Sequence, residues 1–217
     1  MASSVHTAAA NPAQAHEQAR SVRLARVDEH DAVASALADA FYDDPVMSWV
    51  SPDDSRRLDQ LRRLFAFFGQ RVWFRHELSF TTEGIVGAAV WMPPGAWHLG
   101  FLRELLLMPG MLRRAGLRDF PRLMRLLNLF ESHHPHEPHH YLPVIGVTPG
   151  WQGKGLGTAL LRPMLERCDE EGMPAYLEAT SARNRTCYER NGFEATDELV
   201  LPDGPPAWTM WRRPSGS

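Results

Sequence analysis

The sequence predicts an α/β fold built on a single sheet, with a helical insertion at residues 97–131. Three patterns lead to this prediction: residues 77–94 have the pattern of a β-hairpin, residues 97–131 are amphipathic with helical spacing, and residues 140–180 follow the order strand, helix, strand. A strand–helix–strand unit of this length implies a right-handed crossover and a locally parallel pair of strands.

Length, charge and cysteine usage limit the class of protein. A chain of 217 residues suits one domain that buries its core without disulfides. The net charge of -3 argues against a nucleic-acid partner, because phosphate binding needs a basic surface. Cys168 and Cys187 lack metal-type spacing and are predicted to be reduced thiols. No apolar run approaches the ~20 residues of a membrane span, so we expect a cytoplasmic protein that binds neither membranes nor nucleic acid.

The N-terminal residues 1–20 predict a disordered leader, since they are rich in Ala, Gln, Asn and Pro and lack the pattern of a signal peptide. One domain is predicted over residues 21–213, with residues 214–217 as a short tail. The domain should open with a strand over residues 21–27, and Asp28 is the predicted N-cap of the helix that follows.

Further signals place the next elements. Asp-Asp-Pro at residues 43–45 should stop the first helix, and another helix is predicted to start near residues 51–53, with leucines and phenylalanines on one side. The hairpin is predicted to turn at residues 83–84. The insertion should contain two or three helices, broken by Pro-Gly at residues 109–110 and again near Gly116.

The C-terminal part shows an alternating order of elements. Predicted are a strand over 140–147, a helix over 153–172, a strand over 175–180, a short helix over 184–192, and strands over 193–201 and 207–213. Pro163 lies inside the first of these helices, where it removes a hydrogen bond and costs ~3 kcal/mol. The helix therefore either kinks there or is held by packing.

The stretch VIGVTPGWQGKGLGTAL, residues 144–160, carries the clearest chemical signal. A strand ends and a glycine-rich loop then opens a helix. Gly153, Gly155 and Gly157 carry no side chains, so a ligand can approach their backbone N–H groups closely. Because the first N–H groups of a helix have no internal partner and lie at the positive end of its dipole, this turn predicts a phosphate or pyrophosphate site.

The two common nucleotide-binding motifs do not fit this loop. A P-loop requires G-x-x-x-x-G-K-[ST], but Thr148 stands where its first glycine should be, and Gly155 follows Lys154. The dinucleotide fingerprint G-x-G-x-x-G fails as well, because its third glycine falls on Thr158.

Two landmarks resemble the GCN5-related N-acetyltransferase (GNAT) superfamily. Residues 152–157, QGKGLG, match [QR]-x-x-G-x-[GA], the acetyl-CoA pyrophosphate loop of that family, and residues 177–193 match its later strand, short helix and Y-E-x-x-G-F ending. The chain is most similar to the puromycin N-acetyltransferase branch, through H-x-P-x-E-P at 133–138 and V-W-x-x-P at 90–94. The resemblance implies a mixed, mostly antiparallel sheet with a locally parallel, splayed strand pair and helices on both faces.

The resemblance also implies an activity, the transfer of an acetyl group from acetyl-CoA to a primary amine of a small molecule such as an antibiotic or another toxic metabolite. The amine would attack directly in a ternary complex, without a metal, in a monomer or homodimer. Tyr188 would protonate the departing thiolate. The backbone of residues 145–147 would pair with the pantetheine arm. The cofactor-binding residues implied are Ile145, Gly146, Val147, Gln152, Gly153, Lys154, Gly155, Leu156, Gly157, Thr158 and Asn184.

A base is also needed, since most amines are protonated at neutral pH. Glu178 is the candidate, acting directly or through water. If Tyr176 packs inward, Glu178 shares its face of the strand, because residues two apart lie on the same side. Many family members place an Asn seven residues before the tyrosine, where this chain has Ser181. Asn184, four residues before Tyr188, therefore either contacts CoA or serves mainly as a helix N-cap.

Residues 133–140, HHPHEPHH, hold five of the ten histidines. The prolines make a helix with histidines on one face unfavourable, so a surface linker is predicted rather than a metal site. His140 and Tyr141, where the strand begins, are candidates for contact with the acceptor.

The sequence alone leaves other interpretations open. The chain could be a non-catalytic acyl-CoA-binding or sensing module that keeps the loop, or a metal-dependent regulator built on the histidine segment. The acidic pair at residues 43–44 either attracts a cationic amine or only stops a helix. Phe41, Trp49 and Trp91 line either an acceptor pocket or the core. The acceptor and the size of the acyl group are not determined.

Overall fold

The computed structural model describes residues 21–98 and 100–216. Seven strands form one sheet in the order β1–β2–β3–β4–β5–β7–β6. The strands are β1 (Val22–Leu24), β2 (Ser79–Thr82), β3 (Gly87–Met92), β4 (His140–Val147), β5 (Ala175–Ala179), β6 (Glu194–Val200) and β7 (Pro206–Arg212). Neighbouring strands are antiparallel except for β4 and β5, which are parallel. The predicted mixed sheet and its parallel pair are confirmed. The leader predicted for residues 1–20 lies outside the described residues.

Six α-helices surround the sheet in the described residues. They are α1 (His30–Ala40), α2 (Pro45–Val50), α3 (Asp54–Phe68), α4 (Phe101–His133), α5 (Leu156–Glu171) and α6 (Ala182–Glu189). Short 3-10 or π turns cover Val27–Glu29, Gly69–Trp73, Phe74–His76 and Pro149–Trp151. None of the helices in the described ranges has the length and apolar character to cross a bilayer.

Strand β3 shows how the sheet is covered on both faces. Ala88 and Val90 lie in a core with α1 and α3, whereas Ala89 and Trp91 lie in a core with α5. Successive residues of a strand point to opposite faces, so a strand that is apolar throughout must be buried on both sides. Trp91 is thus a core residue rather than part of an acceptor pocket.

Helix α5 continues through Pro163 without a break. Leu160, Leu161, Met164 and Leu165 are all buried around it. Burying a side chain of this size contributes about 1.5–3 kcal/mol, so the four together outweigh the ~3 kcal/mol cost of the proline. Of the two alternatives left by the sequence, packing holds this helix.

The insertion differs from its prediction at one of two positions. A break is found at Gly116, which has non-helical φ/ψ of 79° and 156°. The predicted break at Pro109-Gly110 is wrong, because α4 runs through both residues. A Cβ at Gly110 would lie 2.6 Å from the Phe67 ring. The glycine therefore allows α4 to approach α3 closely instead of ending the helix.

The N-terminal elements also need correction. β1 is shorter than predicted, and Asp28 lies in a 3-10 turn rather than capping α1, which begins at His30. The turn is held by the Glu29 carboxylate, which accepts hydrogen bonds from the Arg23 guanidinium at 2.7 and 2.8 Å and from the Arg26 N–H at 2.9 Å. Helix α2 is not among the predicted elements. Pro45 is the first residue of that helix, so the segment that ends α1 begins α2.

Candidate active site

The parallel strands β4 and β5 separate soon after they begin. They pair only at His140 with Ala175 and at Tyr141 with Tyr176. On the other side β4 stays paired with β3, and residues 142 and 143 of β4 together oppose the single residue 91 of β3, which forms a β-bulge. Pro143 lies in this bulge, where its missing N–H is tolerated. Beyond Tyr141, the β5-facing edge of β4 is therefore open to an added strand or an extended ligand.

The glycine-rich loop lies at the far end of this opening and leads into α5. Gly155, with φ of 81° in the left-handed region, is the N-cap of α5, and no side chain caps the helix. The first hydrogen bond runs from the Ala159 N–H to the Gly155 carbonyl at 3.1 Å. The N–H groups of Leu156, Gly157 and Thr158 therefore have no partner inside the helix. This geometry suits a phosphate or pyrophosphate.

The loop is braced by its own side chains. Gln152 donates from Nε2 to the Val147 carbonyl at 3.0 Å and accepts from Arg183 at 3.2 Å. Lys154 donates to the Gly150 carbonyl at 3.0 Å and lies 4.9 Å from the centroid of the Trp151 ring. The Gln152 and Lys154 side chains therefore hold the loop in shape.

Two of the predicted cofactor residues show a role in packing. Leu156 is buried at the start of α5, where it anchors the helix in the core. A Cβ at Gly146 would lie 2.7 Å from the Ala40 Cβ, so this glycine allows α1 to pack on β4. At both positions only the backbone is available to a ligand.

Gly157 has no comparable structural reason to be glycine. Its φ is not positive, and a Cβ there would meet only the Cys187 Sγ at 3.9 Å, an ordinary contact. We expect Gly157→Ala to leave the free energy of unfolding unchanged or raise it by up to ~1 kcal/mol, because Ala is the better helix former. If a pyrophosphate lies over this residue, the same change should weaken CoA binding by about tenfold, or ~1.4 kcal/mol.

Calorimetric titration with CoA and urea unfolding measure the two effects of Gly157→Ala. Gly150→Ala is the matched control, since a Cβ there meets nothing within 4 Å and the residue precedes the glycine-rich turn at 153–157. Equal CoA affinity in the two variants would mean that no ligand passes over Gly157.

A cavity of about 310 Å³ lies between the separating strands and the helices α1, α3 and α4. Its walls are mostly apolar, among them Phe41, Leu61, Phe65, Phe68, Met111 and Leu126. Its polar lining consists of Asn128, Glu131, His134, Tyr141, Glu178, Thr180 and Tyr188, apart from the indole N–H groups of Trp73 and Trp97. Of the residues for which pocket and core both stayed open, Phe41 lines this cavity, whereas Trp49 packs against the hydrophobic cluster that includes α4. Both residues predicted for acid and base chemistry, Tyr188 and Glu178, border this one space.

Tyr188 is held by α6 and packs against Phe193, with ring centroids 6.0 Å apart. Its side chain is buried, and burial, with smaller effects of Cys187 and Asp44, raises the pKa of its hydroxyl above the usual 10.0. The phenol is therefore protonated at neutral pH, as a general acid must be before it acts.

Glu178 lies on β5 with only 2% of its side chain exposed. Its Oε2 accepts a hydrogen bond from the Tyr141 hydroxyl at 2.9 Å, and its Oε1 lies 3.6 Å from the His134 Nδ1. Tyr176, two residues earlier, packs inward with its ring centroid 4.6 Å from that of His134. The two residues thus share a face of the strand, as predicted, and Tyr141 holds the carboxylate in place.

The histidine segment is only in part the surface linker that the sequence predicted, since residues 133 and 136–138 are exposed. His134, His139 and His140 are buried. The His134 ring stacks on Trp97 with centroids 3.9 Å apart, and His140 contacts Glu171 at 2.8 Å. The prolines do keep residues 135–139 out of a helix, but tertiary packing covers the rings. His134 was missed as a site residue; its place just before β4 was the only signal.

Asn184 is not a helix N-cap. The cap of α6 is Ser181, whose Oγ accepts from the Asn184 N–H at 3.2 Å. The helix starts two residues before the position that the sequence predicted, because Ser181 is a good N-cap and closes the first turn. A contact between the Asn184 side chain and CoA stays a prediction.

The comparisons with known proteins decide the family. The sequence model of the acetyltransferase (GNAT) family matches residues 39–193. The chain belongs to the GNAT family. An uncharacterized N-acetyltransferase of Schizosaccharomyces pombe is 27% identical over 184 residues, which cover 80% of this chain and 74% of that protein.

Solved structures agree with this assignment. A Corynebacterium glutamicum structure of histone acetyltransferase HPA2 and related acetyltransferase matches this GNAT chain with a TM-score of 0.64 at 26% identity, over 91% of this chain and 97% of that one. The mosquito arylalkylamine N-acetyltransferase-like 5b matches with a TM-score of 0.61 at 18% identity, over 89% of this chain and 99% of that one. The second likeness shows the fold alone. Family membership supports acyltransferase activity for this GNAT protein.

Asp44 connects the N-terminal helices of the GNAT domain to the end of β5. Its Oδ1 accepts from the Val46 and Met47 N–H groups at 3.0 Å each, which caps α2, and its Oδ2 accepts from the Thr180 hydroxyl at 2.5 Å. Burial raises the pKa of Asp44 from 3.8 to about 6, although these hydrogen bonds lower it. Asp44 is therefore an internal cap, while Asp43 is exposed.

We expect Asp44→Asn to stabilise this GNAT protein at pH 8 by on the order of 1–3 kcal/mol and to have little effect near pH 4. The pKa of Asp44 is higher in the folded state than in the unfolded chain, so folding favours the protonated form. The wild type loses this contribution as pH rises through about 6. Asparagine keeps an oxygen for the cap and cannot ionise. Urea unfolding across this pH range measures the difference.

Exposed Asp43→Asn is the control for Asp44→Asn, and we expect it to show no such pH dependence. An equal effect of Asp44→Asn at pH 4 and pH 8 would contradict the assignment of the ionised form as the destabilising one.

The described residues contain no group of three His, Cys, Asp or Glu side chains that could hold a metal ion. The hypothesis of a metal-dependent regulator on residues 133–140 therefore finds no supporting cluster there.

Proposed function

We propose that this GNAT protein transfers the acetyl group of acetyl-CoA to the primary amine of a small molecule with an apolar body. The observation that carries the proposal is the single cavity that Tyr188 and Glu178 share, which lies where β4 and β5 separate. Acetyl-CoA supplies the acetyl group as a thioester. The chain's own residues supply binding, orientation and proton transfer.

The proposed binding residues follow the open edge of β4 and the loop. The backbone of Ile145, Gly146 and Val147 would pair with the pantetheine arm as an added strand does. The N–H groups from Gly153 to Thr158 would hold the pyrophosphate at the positive end of α5. The open space over Gly153 and Gly155, where a Cβ would meet nothing within 4 Å, leaves room for it.

In the proposed reaction, Glu178 takes a proton from the ammonium form of the acceptor, so that its nitrogen lone pair becomes available. Tyr188 gives its proton to the sulfur that leaves. Tyr141, through its hydrogen bond to Glu178, keeps the carboxylate facing the cavity. The apolar walls exclude water and so strengthen these interactions.

The class of acceptor is proposed from the charges around the cavity. Its ionisable lining apart from the tyrosines consists of Glu131, Glu178 and His134, and the rest is largely aliphatic or aromatic. One ammonium group would find a carboxylate there, and the attached body would contact apolar walls. An amino acid would bring a carboxylate that these walls cannot solvate. The second ammonium group of a polyamine would find only Glu131, whose side chain is 46% exposed and lies 3.8 Å from His98.

Thiol release from acetyl-CoA tests the proposal against a panel of amines. We expect turnover with phenylethylamine, tryptamine or puromycin, the last because of the resemblance to that branch, and at least ~10-fold lower kcat/KM with agmatine and spermidine. Absence of turnover with every amine would contradict the proposal. Calorimetric CoA binding without turnover would instead favour the non-catalytic acyl-CoA module. Propionyl-CoA would be tested as a second donor, since the identity of the acyl donor is also part of the proposal. A cytoplasmic location of the protein is proposed as well.

A further inference from the structure

A row of buried histidines leads to the proposed base. His139 Nδ1 lies 2.6 Å from the Glu137 carbonyl oxygen, and His139 Nε2 lies 2.9 Å from His134 Nε2. On its other side, His134 Nδ1 faces Glu178 Oε1 at 3.6 Å. The three side chains are almost completely covered, with His134 and Glu178 side chains 3% and 2% exposed.

The partners fix where the protons lie in this row. A carbonyl oxygen only accepts, so His139 must carry its proton on Nδ1. Burial lowers the pKa of His139 to about 4, so at neutral pH its Nε2 is an acceptor. The facing Nε2 of His134 must then carry a proton, which it donates to His139. The Nδ1 atom of His134 then carries no proton, and it faces the Glu178 carboxylate.

Glu178 has one oxygen left for a proton. Its Oε2 is engaged by the Tyr141 hydroxyl, while Oε1 is buried and makes no hydrogen bond to any described residue. A buried polar atom without a partner needs an explanation, since most such atoms are paired. Two acceptors, Oε1 and His134 Nδ1, face each other across 3.6 Å, and without a proton between them the pair has room for the one proton that the base must take up.

We propose, on the basis of the proposed function, that His134 is a positioning residue that shares the proton taken up by Glu178, and that His139 fixes the tautomer in which it can do so. The remaining groups around His134 are neutral: Trp97 stacks on one face, and Tyr141 and Tyr176 contact it edge-on. The carboxylate of Glu178 is thus the charge that faces its Nδ1.

The proton count balances in this scheme. One proton leaves the substrate ammonium and stays between Glu178 and His134. The amine lone pair forms the C–N bond, the C–S bond breaks, and the sulfur takes the proton of Tyr188. A second proton passes from the nitrogen to the Tyr188 oxygen and restores its hydroxyl. The one proton that the reaction releases therefore stays on the Glu178–His134 pair until the products leave.

The proposal is tested first without substrate, by long-range ¹H–¹⁵N NMR of the histidine rings in the ¹⁵N-labelled protein. We expect Nδ1–H on His139 and Nε2–H on His134 at pH 7, with no proton on Nδ1 of His134. His134→Gln and His139→Gln assign the signals. A bare Nε2 on His134 would overturn the proposal. Because no turnover is needed, this outcome is independent of whether the proposed acetyl transfer occurs.

Kinetics supply the second readout. We expect His134→Gln to lower kcat by about 10- to 30-fold with little change in KM, and to move the ascending limb of the kcat/KM profile to lower pH by about one unit, because Glu178 then holds the proton alone. His139→Gln should shift the limb in the same direction, and it replaces the first variant if that one does not fold. Exposed His136→Gln is the matched control. A wild-type profile in both buried variants would show that these histidines only pack.

Discussion

Replacing Tyr188 by Phe is expected to lower kcat by roughly 10²- to 10⁴-fold, the usual range for removal of a general acid, with the KM values for both substrates changed by less than about threefold. The reason is the position of the hydroxyl on the shared cavity, together with the raised pKa that keeps it protonated. Without that proton, the sulfur would leave as a bare thiolate in an apolar space, where an isolated charge is costly.

The fold should tolerate Tyr188→Phe. The ring keeps its contact with Phe193, and no described residue is hydrogen-bonded to the hydroxyl, so its loss leaves no partner unsatisfied. We therefore expect a free energy of unfolding within about 1 kcal/mol of the wild type. Steady-state thiol release and urea unfolding measure the two quantities. Tyr42→Phe, which removes a hydroxyl on the outer side of the helices, is the control.

Two outcomes of the Tyr188→Phe experiment are informative. A large loss of kcat at unchanged stability supports the acid role. Wild-type kcat in the variant would contradict the acid role of Tyr188. It would also contradict the argument that the cavity is built for proton transfer to sulfur.

The loop of the site was predictable because its chemistry is local. Gly153, Gly155 and Gly157 lie within five residues, directly after a strand and before a helix, and the structure keeps that order. A left-handed N-cap and N–H groups without internal partners follow from these residues alone. The same holds for the pairing of β4 with β5, which a strand–helix–strand order of this length requires.

The cavity was not predictable because its walls come from segments far apart in sequence. Phe41, Phe65, Leu126 and Ile145 meet only after α1, α3, α4 and β4 have packed. Their apolar character indicated burial but not whether a space was left between them. An enclosed volume depends on backbone separations that hydrophobic periodicity does not report.

Burial of the histidine segment was missed for a related reason. The prolines predicted an extended or turn conformation rather than a helix, residues 134–139 are indeed not helical, and polar segments of this kind usually lie on the surface. Here Trp97 covers His134, and Trp211 lies 5.4 Å from the His139 ring. Both tryptophans lie outside residues 133–140, so the sequence of that segment does not indicate that they cover it. The wrong prediction at Gly110 has a similar cause. The Pro-Gly pair predicted a turn, but the glycine is needed for close contact with Phe67, which is distant in sequence.

Replacing Glu178 by Gln is expected to lower kcat/KM at pH 7 by roughly 10²- to 10³-fold. The substitution keeps the shape of the side chain and leaves an amide oxygen for the Tyr141 hydroxyl, but the amide cannot take a proton. Glu171→Gln is the matched control, since that carboxylate also accepts from a buried residue, His140, and lies outside the cavity.

The pH dependence of the Glu178→Gln deficit separates a base from a merely positioning carboxylate. An alkylamine with a pKa of about 10 is about 0.1% neutral at pH 7 and about 10% neutral at pH 9. A variant without a base depends on that neutral fraction, so its rate should rise about tenfold per pH unit, while the wild type levels off once its base is ionised. The deficit should therefore shrink by at least ~10-fold between pH 7 and pH 9. A deficit that stays constant over this range would mean that Glu178 binds or orients the ammonium group, and the proton would then need another acceptor on the cavity wall.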